Sequence, residues 1–425
     1  MCGFAGEARF DSSTADIGAV ARMGEVLQPR GPDASGAFQQ GGIALAHRRL
    51  RIIDLSETAQ QPMTDPGLGL TVVFNGCIYN YRELRRELEA LDYRFFSDGD
   101  TEVVLKSFHA WGRDCVNRFH GMFAFAIFER DSGRLTLARD RFGIKPLYLA
   151  EDKGRLRFAS SLPALLAGGD IDTAIDPAAL HHYMSWHAVV PPPLTLLAGV
   201  RKLPPATVAT WDAEGRCENR RFWGLKVQAD PALAALPVDE RERMVEDALR
   251  TAVRRRMVAD VPVGVLLSGG VDSSLIVALL AEAGQHDLRT FSIGFEAAGG
   301  ESVGEFVYSA LVAGRFGTHH EQIRIPTSEL MGALPGTIAA MSEPMVSYDN
   351  VAFYLLSREV SKHLKVVQSG QGADEVFAGY DIFKEARVRR FCGRQPGSRI
   401  RPHLFRKLYP YLPGLQQQSA EYLAA

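Results

Sequence analysis

The chain has 425 residues, 46% of them hydrophobic and 23% charged, with 48 Lys and Arg against 50 Asp and Glu for a formal charge of −2. This length calls for two or three separately cored domains, and the composition excludes a disordered or fibrous chain. The near-neutral balance excludes a broad electrostatic footprint, so neither nucleic acid nor membrane is expected as a partner, and no window approaches the ~20 apolar residues needed to span a bilayer. The cysteines Cys2, Cys77, Cys115, Cys217 and Cys392 are scattered and form no CxxC pair. Neither a disulfide framework nor a zinc site is therefore expected, and a reducing cytoplasm fits best.

In chain order, the runs at 43–46, 70–74, 123–128 and 135–138 read as strands of a layered sheet protein. Stretches 16–27 and 81–91 read as amphipathic helices able to cover a sheet face, so this half is expected to be α+β. From Pro191-Pro192-Pro193 to about Trp223 the chain is rich in Pro and Gly and carries a turn at 212–216. The boundary is placed between about 210 and 235, with domains at 2–210 and 235–425. Beyond it, Val245, Ala248, Leu249, Ala252 and Val253 mark one face of a helix. Val263 to Leu267 is apolar on both sides, as in a buried parallel strand. A helix at 272–283 and strands at 289–295 and 364–368 follow, and this alternation predicts an α/β second domain.

Two sets of residues carry chemistry. Cys2 follows only Met1; removal of Met1 leaves a free α-amine beside the thiol, and with a reference pKa of about 7.7–8.0 that amine suits the general base of an N-terminal nucleophile. Taken alone, a cysteine there is more often a buried structural residue. Asn75-Gly76, at the end of a strand, offers a side-chain amide and a backbone N–H to a developing oxyanion, or else forms a hairpin turn. Arg49 and Asp100 supply opposite charges for the carboxylate and ammonium of a free amino acid. Farther on, Ser268-Gly269-Gly270-Val271-Asp272-Ser273-Ser274 lies between an apolar strand and a helix. Its glycines expose backbone N–H groups at a helix start, an anion nest, and Asp272 can hold Mg²⁺ against a pyrophosphate. No Gly-Lys-Ser/Thr follows, so transfer of a terminal phosphate is not the expected chemistry. His319-His320-Glu321 is read as a polar strand edge rather than a metal site, because successive residues of a strand face opposite ways.

The strings Cys2-Gly3-Phe4-Ala5-Gly6, Arg30-Gly31-Pro32-Asp33, His47-Arg48-Arg49-Leu50, Asn75-Gly76-Cys77-Ile78-Tyr79-Asn80, Asp100-Thr101-Glu102, Gly121-Met122-Phe123-Ala124-Phe125 and Arg139-Asp140-Arg141-Phe142-Gly143 together resemble, in order, the class II glutamine amidotransferase domain of asparagine synthetases. The resemblance implies an N-terminal-nucleophile sandwich with Cys2 as nucleophile and Asn75 and Gly76 as oxyanion hole. It further implies Arg49, Leu50, Arg51, Ile52, Ile53, Cys77 and Asp100 around glutamine. The 268–274 loop, with Phe291-Ser292-Ile293-Gly294-Phe295 and Ser369-Gly370-Gln371-Gly372-Ala373-Asp374-Glu375, is similar to the ATP-pyrophosphatase domain of the same family. That implies ATP and Mg²⁺ as cofactors, with Leu266, Ser268, Gly269, Gly270, Asp272, Ser273, Ile293, Ser369, Gly370 and Gln371 around the nucleotide and Asp272 and Asp374 on the metal. The partners implied are glutamine and a carboxylate acceptor, with a homodimer allowed.

Cys77 and Gln371 stand where the family usually has Glu, and the pair resembles the subgroup that amidates N-acetylglutaminylglutamine. The family's synthetase domain normally continues beyond the position of Ala425, and a lysine that stabilises adenylation is expected in that further part. The expected activity is ATP-driven amide formation fed by glutamine. The alternative is a glutaminase or nucleotide-binding protein whose second domain performs no synthesis.

Overall fold

The computed structural model describes residues 2–285, 287–295, 304–347, 349–395, 400, 401, 404 and 407. Twelve strands build the first half: β1 (Gly3–Arg9), β2 (Ala34–Gln40), β3 (Ile43–Arg49), β4 (Met63–Asp65), β5 (Leu70–Ile78), β6 (Gly121–Glu129), β7 (Arg134–Arg139), β8 (Tyr148–Asp152), β9 (Arg155–Ala159), β10 (Arg201–Lys202), β11 (Thr207–Trp211) and β12 (Cys217–Arg221). They form two antiparallel sheets, in the orders β10-β8-β9-β1-β3-β2 and β12-β11-β7-β6-β5-β4.

Alternation along β6 shows why helices must cover these sheets. Ala124, Ala126 and Phe128 pack into the layer between the sheets, whereas Phe123, Phe125 and Ile127 pack outward against the helices Tyr81–Glu89 and Asp100–Trp111. A strand apolar on both faces needs cover on both. The first sheet is covered likewise by Ile17–Val26 and Leu162–Ala167, through Val20, Met23, Leu162 and Leu165. The result is a four-layer α-β-β-α sandwich, the α+β architecture expected. It includes a helix at 100–111 and several strands that the apolar runs did not announce.

Among the described residues the second half is an α/β layer with four parallel strands: β13 (Val263–Leu266), β14 (Arg289–Phe295), β15 (His319–Ile325) and β16 (Val366–Gln368), in the order β15-β14-β13-β16. Val253, Val277, Leu280 and Ala313 join the helices Val238–Arg255, Val271–Glu282 and Gly304–Phe316 to one face. Ala333, Leu355, Leu356 and Val360, from Thr327–Ala340 and Asp349–Val360, cover the other. The chain leaves β13 toward β14 on one side and returns as β16 on the other. That reversal opens a crevice beyond the carboxyl ends of β13 and β16, where open α/β sheets take their ligands. Among the described residues no helix is long and apolar enough to cross a membrane.

Candidate active sites

Strand parity assembles the first site. Phe4 and Val73 both point into the layer between the two sheets. Cys2, two residues before Phe4, and Asn75 and Cys77, two and four after Val73, are turned the same way. The sheets are joined close by, where His47 Nε2 donates to Phe74 O at 3.1 Å. Burial drives that ring's pKa down to about 3, so it stays neutral.

The Leu50 N–H donates to Cys2 Sγ at 3.3 Å, and Sγ lies 3.6 Å from Leu50 O. Burial pushes the thiol above its ordinary value, against the lowering pull of the Leu50 N–H. The resting group at neutral pH is therefore the thiol, and any attack by it requires that proton to be lost. Asn75 is 1% exposed. Its side-chain nitrogen and oxygen are both buried with no partner among the described residues. An unpaired buried amide costs about 1–3 kcal/mol, which a bound ligand repays by supplying the missing bonds. Gly76 could not be another residue, since a Cβ there would stand 2.4 Å from Met122 O and 2.7 Å from the Phe74 ring.

Around these atoms the charges are arranged unevenly. Asp100 is buried at the first turn of its helix, and its carboxylate accepts the Ile78 N–H at 3.0 Å. Desolvation outweighs these donors and raises its pKa to about 7. The Arg49 side chain, expected to grip a carboxylate directly, instead donates to Ser56 O at 2.7 Å, to Ile53 O at 3.5 Å and to Asp54 O. With three of its five N–H groups so engaged, it shapes the 50–56 loop from inside. Lys145, which the sequence reading passed over, is 2% exposed. Burial and then the nearby Arg30 charge lower its pKa to about 8, against the pull of Cys2 and Cys77. Burial likewise drives the Cys77 thiol well up, so it contributes no charge where a carboxylate would.

The second site is a pocket of about 330 Å³ at the carboxyl ends of β13 and β16. It gathers Leu266, Ser268, Gly270, Asp272, Ser273, Ile293, Ser369, Gly370, Gln371 and Asp374 from three separate stretches of chain. Gly269 is the expected residue that does not line it. Its φ of +85° turns it toward Ser309 and Tyr308, where a Cβ would lie 2.7 Å from Ser309 N. Its part is to shape the loop. Gly270 caps the helix Val271–Glu282 with no side-chain hydrogen bond, which leaves the first N–H groups for an anion. Ser268 Oγ and Ser273 Oγ, 3.0 Å apart, tie the two ends of the loop together. Phe291, Ser292, Phe353, Leu356 and Tyr380 complete the wall. The first two lie in a quoted motif, but Phe353 and Leu356 belong to a helix whose apolar face reads as core. His320 bonds Thr290 and Ser292 at 2.9 and 3.2 Å from inside edge strand β15, and no group of three or more His, Cys, Asp and Glu suited to a metal occurs among the described residues. A larger cavity of about 740 Å³, between Leu68–Leu70 and Asp212–Glu218, contains none of these motif residues.

A glutamine amidotransferase domain family matches residues 1–223, and an asparagine synthase family matches residues 244–425. Glutamine-hydrolyzing asparagine synthetase 1 of Bacillus subtilis (strain 168) is 37% identical over 388 residues, covering 91% of this chain and 60% of its own. Asparagine synthetase 3 of the same strain is 31% identical over 406 residues, covering 91% and 64%. A protein of Methanocaldococcus jannaschii with a provisional asparagine synthetase name is 33% identical over 404 residues, covering 89% and 76%. The chain thus spans about three fifths of the length of the Bacillus relatives. With a half-buried cysteine and a buried unpaired amide in one half, a glycine-rich nest in the other, and this identity across both, the chain belongs to the glutamine-hydrolysing asparagine synthetase family.

Proposed function

We propose that this protein is a glutamine-dependent, ATP-driven amide ligase with two sites. At the first, the Cys2 sulfur attacks the glutamine carboxamide carbon while the α-amine exposed by loss of Met1 takes its proton. Asn75 Nδ2 and the Gly76 N–H receive the oxyanion. Its collapse expels ammonia, and water hydrolyses the thioester to glutamate. Asp100 takes the substrate ammonium, and the 50–53 backbone, shaped by Arg49, takes the rest of the amino-acid head. At the second, an acceptor carboxylate oxygen attacks the α-phosphorus of ATP, pyrophosphate leaves, and ammonia then displaces AMP from the acyl carbon.

Asp272 and Asp374 both line the nucleotide pocket. Two carboxylates completed by phosphate oxygens are an ordinary Mg²⁺ donor set, and the ion would neutralise charge on the departing pyrophosphate. The observation that carries the reading is the unpaired Asn75 amide, buried on the same inward row as Cys77 and facing the layer that receives Cys2. It is a preformed donor awaiting an acceptor.

Aspartate and N-acetylglutaminylglutamine are the acceptors to try, the second because of Cys77 and Gln371. Gln371 also keeps a second reading in view, since an amide cannot act as a base: a glutaminase whose other half binds nucleotide without synthesis. The test is pyrophosphate release from ATP–Mg²⁺ with glutamine and each acceptor, with glutamate assayed in parallel. Acceptor-dependent pyrophosphate establishes the ligase and names its substrate. Glutamate without pyrophosphate establishes the second reading, and neither product refutes both.

A further inference from the structure

The two sites are joined by a pair of contacts that the chemistry above does not use. Asp260 lies three residues before β13, and Lys365 lies one residue before β16. These strands are neighbours in register, Val263 opposite Val366. Asp260 reaches back to the loop that follows Arg49 directly, and Lys365 reaches it through Asp33. Asp260 Oδ2 accepts the Asp54 N–H at 2.7 Å, and the Asp260 N–H donates to Ile52 O at 2.8 Å. Lys365 Nζ is 2.6 Å from Asp33 Oδ2, the same oxygen that accepts the Arg51 N–H at 2.8 Å. Asp54 adopts φ +50°, a conformation that costs a non-glycine residue energy and persists only when its surroundings hold it. Neighbouring contacts reinforce the attachment: Val258 packs into the core under the second sheet, and the Arg256 guanidinium lies 5.6 Å over the Tyr79 ring.

The starting ends of β13 and β16 therefore hold residues 51–54, while the finishing ends of the same two strands carry the loops 268–273 and 369–374 that line the nucleotide pocket. Each strand is only three or four residues long and is hydrogen-bonded to its neighbour, so a shift at one end is carried to the other. We propose that Asp260 and Lys365 are positioning residues that clamp the glutamine loop to the two nucleotide-bearing strands, so that a filled nucleotide pocket favours the loop geometry that holds glutamine. The inference rests on the functional reading given above.

The test measures glutamine affinity by calorimetry in a Cys2→Ala background, which binds glutamine without consuming it, with and without saturating ATP–Mg²⁺. ATP–Mg²⁺ is expected to tighten glutamine binding by roughly fivefold or more, and glutamine to tighten ATP binding by the same factor, because coupling between two sites is reciprocal. Asp260→Leu and Lys365→Met should each reduce that factor to about twofold or less, while ATP affinity measured without glutamine is unchanged. Both side chains are more than a third exposed, at 38% and 40%, so the substitutions open no cavity. Asp260→Asn, which keeps an oxygen for the Asp54 N–H, should retain the coupling, a rescue that loss of folding could not produce. Glutamine binding that is blind to ATP, or Leu and Met variants that keep the full factor, overturns the clamp alone. A chain that binds ATP but no glutamine under any condition overturns the reading of the Cys2 pocket, and the clamp with it.

Discussion

Replacing Asp100 with Asn separates what the fold prefers from what the substrate requires. The carboxyl is buried, and burial lifts its pKa from 3.8 to about 7. Because the folded value is the higher one, the folded protein holds a proton more tightly than the unfolded chain, and stability falls as pH rises from about 4 to about 7. Each pH unit of that interval is worth about 1.4 kcal/mol, so the ionised carboxylate costs the empty fold at most about 4 kcal/mol above pH 7. An Asn there still accepts the Ile78 N–H but never ionises. In urea melts at pH 8, Asp100→Asn should be more stable than the parent, by about 1 to 4 kcal/mol, and at pH 4 the difference should vanish. Glutamine binding should move the opposite way, because the variant offers the substrate ammonium no countercharge. Loss of one partner of a buried ion pair costs about 3–5 kcal/mol, a rise in KM of a hundredfold or more in the glutamate-release assay. The parent's own KM should rise as pH falls through about 7. Equal destabilisation of the variant at both pH values, or an unchanged KM, would refute the assignment of Asp100 as the ammonium partner.

Asn75→Ala should lower kcat for glutamate release by roughly 10² to 10³ with little change in KM, since the amide is invoked only for the oxyanion. Its melting temperature should not fall, because the amide has no partner to lose among the described residues. Gly76→Ala should do both kinds of damage, losing glutaminase activity and melting several degrees lower, because the added Cβ meets the Met122 carbonyl at 2.4 Å. Asp272→Asn should weaken Mg²⁺-dependent ATP binding by tenfold or more in calorimetry while leaving ATP-independent glutamate release intact; loss of both together would contradict two separate sites.

The chemistry of this protein was legible where it is written in contiguous residues. The 268–274 string shows its anion nest because the glycines, the strand before them and the helix after them are consecutive, so local backbone geometry decides what they do. The strand at 289–295 was legible to the residue, since Phe291, Ile293 and Phe295 recur at the strand period of two. The helix at 100–111 was not. It is buried along most of its length, Lys106 and Glu102 included, so its polar residues pair with each other and with backbone groups instead of marking a solvent face. Strands β8 to β12 are short, and in β9 the apolar residues are interleaved with arginines, of which Arg157 pairs inward with Glu7 at 2.6 Å.

The sequence by itself determined which residue is proposed to attack and which loop is proposed to take a phosphate, because nucleophilicity and anion binding reside in residue types and in a few bonds of local backbone. Only the tertiary structure decided that Arg49 bonds the carbonyls of a loop, that Gly269 packs against Tyr308 and Ser309, that Lys145 is buried within electrostatic reach of two thiols, and that Asp260 and Lys365 join the two halves. Apart from the Arg49 contacts, which span seven positions or fewer, those outcomes depend on desolvation and on distances between residues tens to hundreds of positions apart, which are set when the layers pack.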